Sequence, residues 1–105
     1  MKLTSKQRAY LKGLAMKLDP IFNIGKSSLT PEFTEGINET FNNKELIKIS
    51  VLKNCIDDPK EIANVLAERT GSTVVQVIGK KIVLYKPAKD EKDRQIVLPK
   101  EKKRD

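Results

Sequence analysis

The chain predicts an α/β (α+β) fold, a small four-stranded mixed sheet with three helices in the order α-β-α-β-α-β-β. Three observations carry this. Two capping signatures, Thr4-Ser5-Lys6-Gln7 and Asp58-Pro59-Lys60-Glu61, each stand before apolar residues at helical spacing. Residues 45–52, ELIKISVL, alternate as a strand, with Ile47, Ile49 and Val51 on one side and Leu46, Lys48 and Ser50 on the other. Two β-rich runs, 73–78 and 81–85, are separated only by Gly79-Lys80, the spacing of a hairpin.

Taken in order, Leu11, Leu14, Ala15 and Leu18 give the first helix an apolar stripe over about residues 5–17, and Asp19-Pro20 ends it. Residues 21–24 form a short strand. Thr30-Pro31-Glu32 opens the second helix with a cap, a proline at the first helical position and an acid in the first turn. Phe33, Ile37 and Phe41 supply its stripe, and Asn42-Asn43 close it. The third helix carries Ile62, Val65 and Leu66 and stops at Gly71. Strand–helix–strand units imply parallel pairing with right-handed crossovers, and the final hairpin adds an antiparallel strand. The helices are expected mainly on one face. Residues 1–86 then make the domain. Residues 87–105 read as a charged tail in which Ile96-Val97-Leu98-Pro99 is the one segment able to dock.

Charge is the strongest functional signal in the composition. The 105 residues hold 21 Lys and Arg against 14 Asp and Glu, a net charge of +7. Residues 1–18 carry Lys2, Lys6, Arg8, Lys12 and Lys17 with no acid, the hairpin region carries Lys80, Lys81 and Lys86, and residues 57–68 are acidic. Such polarity points to nucleic acid as the partner. Cys55 is the single cysteine and there is no histidine, which excludes an internal disulfide and a Cys/His metal cluster and leaves a cysteine nucleophile without its usual base. No catalytic residue and no cofactor are expected. The first ten residues lack a signal-peptide core, and no apolar run approaches membrane-spanning length. A cytoplasmic, soluble monomer is the expectation.

The densest local signal is Asn23-Ile24-Gly25-Lys26-Ser27-Ser28-Leu29-Thr30-Pro31-Glu32. Backbone amides at a strand-to-helix turn point outward, the helix N-terminus carries partial positive charge, and Lys26 adds a full one. Gly25, Lys26, Ser27, Ser28 and Thr30 are therefore the candidate phosphate site, against the plainer reading of an ordinary turn with a solvated lysine. It is not a Walker loop, which needs two glycines at fixed spacing before the lysine. Lys6, Arg8 and Lys12, with Lys17, are solvated helix residues or an RNA-facing surface, and the absence of any acid favours the latter. Lys80 and Lys81, with Lys86, serve RNA or only solubility and edge protection. Lys48 either reaches along the sheet to RNA or blunts an exposed edge. Phe33 and Phe41 belong to the core, which leaves only Tyr10 and Phe22 as base-stacking candidates. Asp57-Asp58 is better explained by helix capping than by a metal.

These pieces in series resemble the CRM domain, named for chloroplast RNA splicing and ribosome maturation. The resemblance rests on residues 4–8 with Leu11-Lys12-Gly13-Leu14-Ala15, on the loop 25–30, on the strand 45–49 and on the hairpin 76–85. The terminal Ile96-Val97-Leu98-Pro99 is similar to the tail of stand-alone bacterial members. The resemblance implies a fold similar to the C-terminal domain of a bacterial translation initiation factor. It also implies a non-catalytic RNA-binding protein that contacts structured ribosomal RNA and assists large-subunit assembly. A regulator of translation or messenger RNA, binding RNA or the mature ribosome, is the alternative, and an enzyme acting on RNA lacks a convincing acid–base pair. The family loop reads Gly-Lys-x-Gly, akin to the GXXG loop of KH domains. Here Ser28 stands at the second glycine, where positive φ is harder to adopt.

Overall fold

The computed structural model describes residues 2–100, so positions 101–105 of the expected tail lie outside the described residues. Helix α1, Ser5–Ala15, begins with a reciprocal capping box: Gln7 N–H donates to Thr4 Oγ1 and Thr4 N–H donates to Gln7 Oε1, both at 3.1 Å. It ends two residues before the expected Lys17. Lys48 Nζ donates to the carbonyls of Ala15 and Leu18, each at 3.3 Å, and so satisfies acceptors that another helical turn would have used.

Strand β1, Phe22–Ile24, is followed by α2, Pro31–Thr40, β2, Leu46–Val51, and α3, Pro59–Thr70. The hairpin strands β3, Thr73–Ile78, and β4, Lys81–Tyr85, come next, and a 3₁₀ turn spans Glu91–Asp93. Asp58 caps α3 through Lys60 N–H, and Gly71 ends it at φ 68°, the left-handed conformation a glycine adopts without penalty. The sheet order is β1-β2-β4-β3. β1 and β2 pair in parallel, as the first strand–helix–strand unit requires. β2 and β3 do not pair: the hairpin folds β4 back between them, antiparallel to both. That position buries Ile82, Val83, Leu84 and Tyr85 on both faces of β4, which its unbroken apolar run favours over an edge.

Two of the three helices cover one face of the sheet, in line with the expectation, while α1 and the segment after β4 cover the other. On the first face Ile24, Ile47, Ile49, Val51, Ile82 and Leu84 pack with Ile37 and Phe41 of α2 and Ile62, Ala63 and Leu66 of α3. On the second face Leu46, Val75, Val83 and Tyr85 meet Leu3, Leu11 and Ala15 at the chain's start, and Ile96 and Leu98 pack there too. Each fully buried aliphatic side chain contributes roughly 1.5–3 kcal/mol, so the second cluster is a substantial part of the fold.

The segment after β4 is held by one carboxylate. Glu45, only 4% exposed, accepts the backbone N–H of Ala88 on Oε2 at 2.7 Å and those of Gln95 and Ile96 on Oε1 at 2.6 and 2.7 Å. Gln7 Nε2 donates to the Pro99 carbonyl at 3.1 Å and ties the same segment to α1. Burial pushes the Tyr85 hydroxyl above its ordinary value of 10.0, the Glu45 carboxylate adds to the rise, and Arg94 opposes it.

Candidate nucleic-acid interface

Parallel pairing of β1 and β2 puts their C-terminal ends side by side, and the antiparallel hairpin brings its tip to the same end. Leu52 N–H donates to the Ile24 carbonyl at 2.8 Å, and Val51 N–H donates to the Lys80 carbonyl at 2.7 Å. Three connections therefore meet there: residues 25–30, residues 52–57 and Gly79-Lys80. Gly79 has φ 56°, the positive value that a two-residue II′ hairpin requires at its first position.

The first connection is a tight turn closed by Ser28 N–H to the Gly25 carbonyl at 2.9 Å. Ser28 adopts φ 52°, so the backbone keeps the left-handed conformation that glycine would take, with a serine in it. Gly25 is closely approached by the second connection. A Cβ there would lie 3.3 Å from Asn54 Oδ1 and 3.6 Å from Leu52 Cδ1, so the second connection leans directly on its backbone. Lys26 and Ser27 stand exposed at the tip. Thr30 is committed otherwise: its Oγ1 accepts Phe33 N–H at 3.1 Å as the cap of α2, and Glu32 already complements the positive end of that helix.

Of the other expected contacts, Lys80 and Lys81 join this end, and Lys81 Nζ donates to Ser50 Oγ at 2.8 Å. Lys12 and Lys48 line a shallow groove on the second face with Met16, Gln76 and Ile78. Because β2 is an interior strand, the edge-blunting reading of Lys48 is wrong. Arg8 is drawn away from solvent: its Nη1 donates to the carbonyls of Val74 and Val75 at 2.6 and 2.7 Å, at the bulge where β3 slips register against β4. Lys6 stays exposed beside it in the first turn of α1. Lys86 lies at the opposite end of the sheet, where its N–H donates to the Glu45 carbonyl. The Phe22 ring is taken up by the core, packing edge-on against Phe33 at 5.5 Å, whereas Tyr10 is 42% exposed.

Sequence reasoning missed Lys53 and Asn54, which join Lys26 and Lys80 at this end. The signal was available in the parallel pairing itself, since the chain leaving β2 must emerge beside the chain leaving β1. Among the described residues no hydrogen bond or ion pair engages the side chains of Lys26, Lys53 or Lys80. On the other flank of the turn a groove of about 420 Å³ separates Ser27 and Ser28 from α3. The arrangement can hold phosphate by exposed turn amides and unpaired ammonium groups.

Residues 3–86 match the CRS1 / YhbY (CRM) domain. The "Probable RNA-binding protein YqeI" of Bacillus subtilis is 43% identical over 97 residues, covering 92% of this chain and 99% of that protein. An RNA-binding protein of Haemophilus influenzae is 36% identical over 90 residues, covering 86% and 91%. The solution structure of the hypothetical protein SAV1595 from Staphylococcus aureus superposes with a TM-score of 0.77 at 47% identity, over 93% of this chain and 100% of that one.

Proposed function

The chain belongs to the CRS1/YhbY (CRM) domain family, and from that premise we propose that it is a non-catalytic RNA-binding protein. Its RNA is structured ribosomal RNA, and its role is to assist large-subunit assembly as a cytoplasmic monomer. The observation that carries the reading is the convergence of Lys26, Lys53 and Lys80, all unpaired among the described residues, around the Gly25–Ser28 turn. The relatives are named as RNA-binding proteins, not as enzymes. Phosphate contacts position a protein without reading sequence, so recognition by RNA shape follows from a site made mainly of ammonium groups and turn amides.

The test is sedimentation of a lysate containing the tagged protein, at low and high salt. Comigration with large-subunit precursors, released by salt, is expected, because ammonium–phosphate contacts release counterions and weaken steeply as salt rises. Comigration with mature particles alone would favour a role in translation. A protein that stays at the top of both gradients and binds no RNA when purified would end the reading.

A further inference from the structure

The groove beside the Gly25–Ser28 turn differs chemically from the cationic end it adjoins. Ser27 and Ser28 form one rim, and α3 forms the opposite wall. On α3, Glu61, Val65 and Arg69 recur at four-residue spacing and so lie on one face. Ile62, 3% exposed, joins Val65 as apolar lining, and Asp57 adds a second carboxylate. Among the described residues no hydrogen bond or ion pair engages the side chains of Asp57, Glu61 or Arg69. Two unpaired carboxylates against one guanidinium leave the groove net negative, which disfavours phosphate there. The best occupant is a neutral group that brings donors for the carboxylates and acceptors for Arg69.

We propose that this groove receives one unpaired guanine of the bound RNA. Guanine alone among the four bases presents two adjacent donors, N1–H and the N2 amino group, on one edge and two acceptors, O6 and N7, on another. The donor edge suits the carboxylates of Asp57 and Glu61, and the acceptor edge suits the fork of Arg69. Glu61 and Arg69 are eight residues apart on α3, about 12 Å along the axis, which leaves room for a base lying over Val65 between them. At about 420 Å³ the groove has room for one base, and it stays open to solvent along one side. The inference rests on the phosphate-binding reading of the adjoining turn and adds to it a single point of sequence preference.

The test is fluorescence anisotropy with the full chain at one fixed salt concentration. The probes are single-stranded RNA heptamers of uridine whose central position is guanosine, adenosine, cytidine or uridine. The guanosine heptamer is expected to bind about tenfold tighter than the other three. Glu61→Gln should bring the four towards parity without weakening the all-uridine heptamer, and Lys26→Glu should weaken all four alike. Equal binding of the four by the unaltered protein, with the Lys26→Glu loss intact, overturns the guanine groove and leaves the phosphate reading standing. A preference for another base, or a guanine preference that survives Glu61→Gln, also overturns it. If none of the heptamers binds, or Lys26→Glu changes nothing, the phosphate reading of the turn falls and the groove inference with it.

Discussion

Oε1 of Glu45 accepts the backbone N–H of Ile96 at 2.7 Å, across 51 residues of sequence, and through that bond the residue before β2 holds the segment that follows β4. Charge-assisted hydrogen bonds from amides to a buried carboxylate contribute roughly 1.5–3 kcal/mol each when intact, though not additively. Glu45→Ala should lower unfolding stability by about 2–4 kcal/mol in a urea titration. It should also expose residues 88–98 to limited proteolysis before the rest of the chain. A wild-type cleavage pattern would mean that Ile96 and Leu98 hold the segment by packing alone.

Arg8 should behave as a structural residue and Lys6 as a surface one. Arg8 bonds two carbonyls at the β3 bulge. Arg8→Ala should cost about 1–3 kcal/mol by leaving those acceptors partly unsatisfied. Lys6→Ala should stay within about 0.5 kcal/mol. Thermal melts of the two variants side by side decide the matter; equal melting temperatures would return Arg8 to the list of RNA contacts.

Ser28 stores strain. A left-handed conformation costs an L-residue roughly 1–2 kcal/mol, and a glycine loses about 0.5–1 kcal/mol of backbone freedom in return. Ser28→Gly should therefore stabilise the protein by about 0.5–1 kcal/mol, with RNA affinity unchanged or improved. A large loss of affinity at intact stability would show that the serine hydroxyl itself contacts RNA.

Lys26 carries an exposed, unpaired charge at the tip of the turn. Lys26→Glu should weaken RNA binding about tenfold or more, and Lys26→Ala should flatten the salt dependence by about one phosphate contact. Both variants should melt within a degree or two of the parent, since the side chain supports nothing else. Unchanged affinity in both would remove the turn from the interface.

Tyr85 sets an alkaline limit. Its folded-state value lies above 10.0, chiefly because burial disfavours the phenolate. The unfolded chain therefore releases this proton first. The contribution to stability is present in full below the unfolded value and falls as pH rises from there through the folded one. Melting temperature should drop above pH 10, and the drop should be smaller in Tyr85→Phe. Identical alkaline profiles would place the loss on the lysines instead.

Much of the scaffold was legible because its signals are local. Thr4, Thr30 and Asp58 each announce a helix start by chemistry confined to three residues, and Gly71 and Gly79 mark a stop and a turn by the φ they permit. Sheet order was less accessible. The one local hint that β4 inserts between β2 and β3 is its unbroken apolar run, Ile82 to Tyr85, which suits burial on both faces but does not name the neighbours. The turn at Gly25 was visible as a motif, but the neighbours that complete it were not read as such. Lys53 and Asn54 arrive there through strand pairing, and Glu61 and Arg69 through the packing of α3. Charge pattern alone also could not show that the Arg8 guanidinium finds two carbonyls 66 and 67 residues away. Lys48 is a similar case: a strand cation whose Nζ bonds the Ala15 and Leu18 carbonyls at the end of α1.

The division of the interior into two clusters separates what supports the turn from what closes the fold. The face that packs α2 and α3 draws on nothing after Leu84, and Leu29 packs against it, so the turn of residues 25–28 rests on that face. The opposite face draws on Leu3, Leu11 and Ala15 and is covered in part by Ile96 and Leu98. A lesion in the second cluster therefore loosens the molecule from the side away from the turn. Damage to stability and damage to the turn are separable, because they have different foundations.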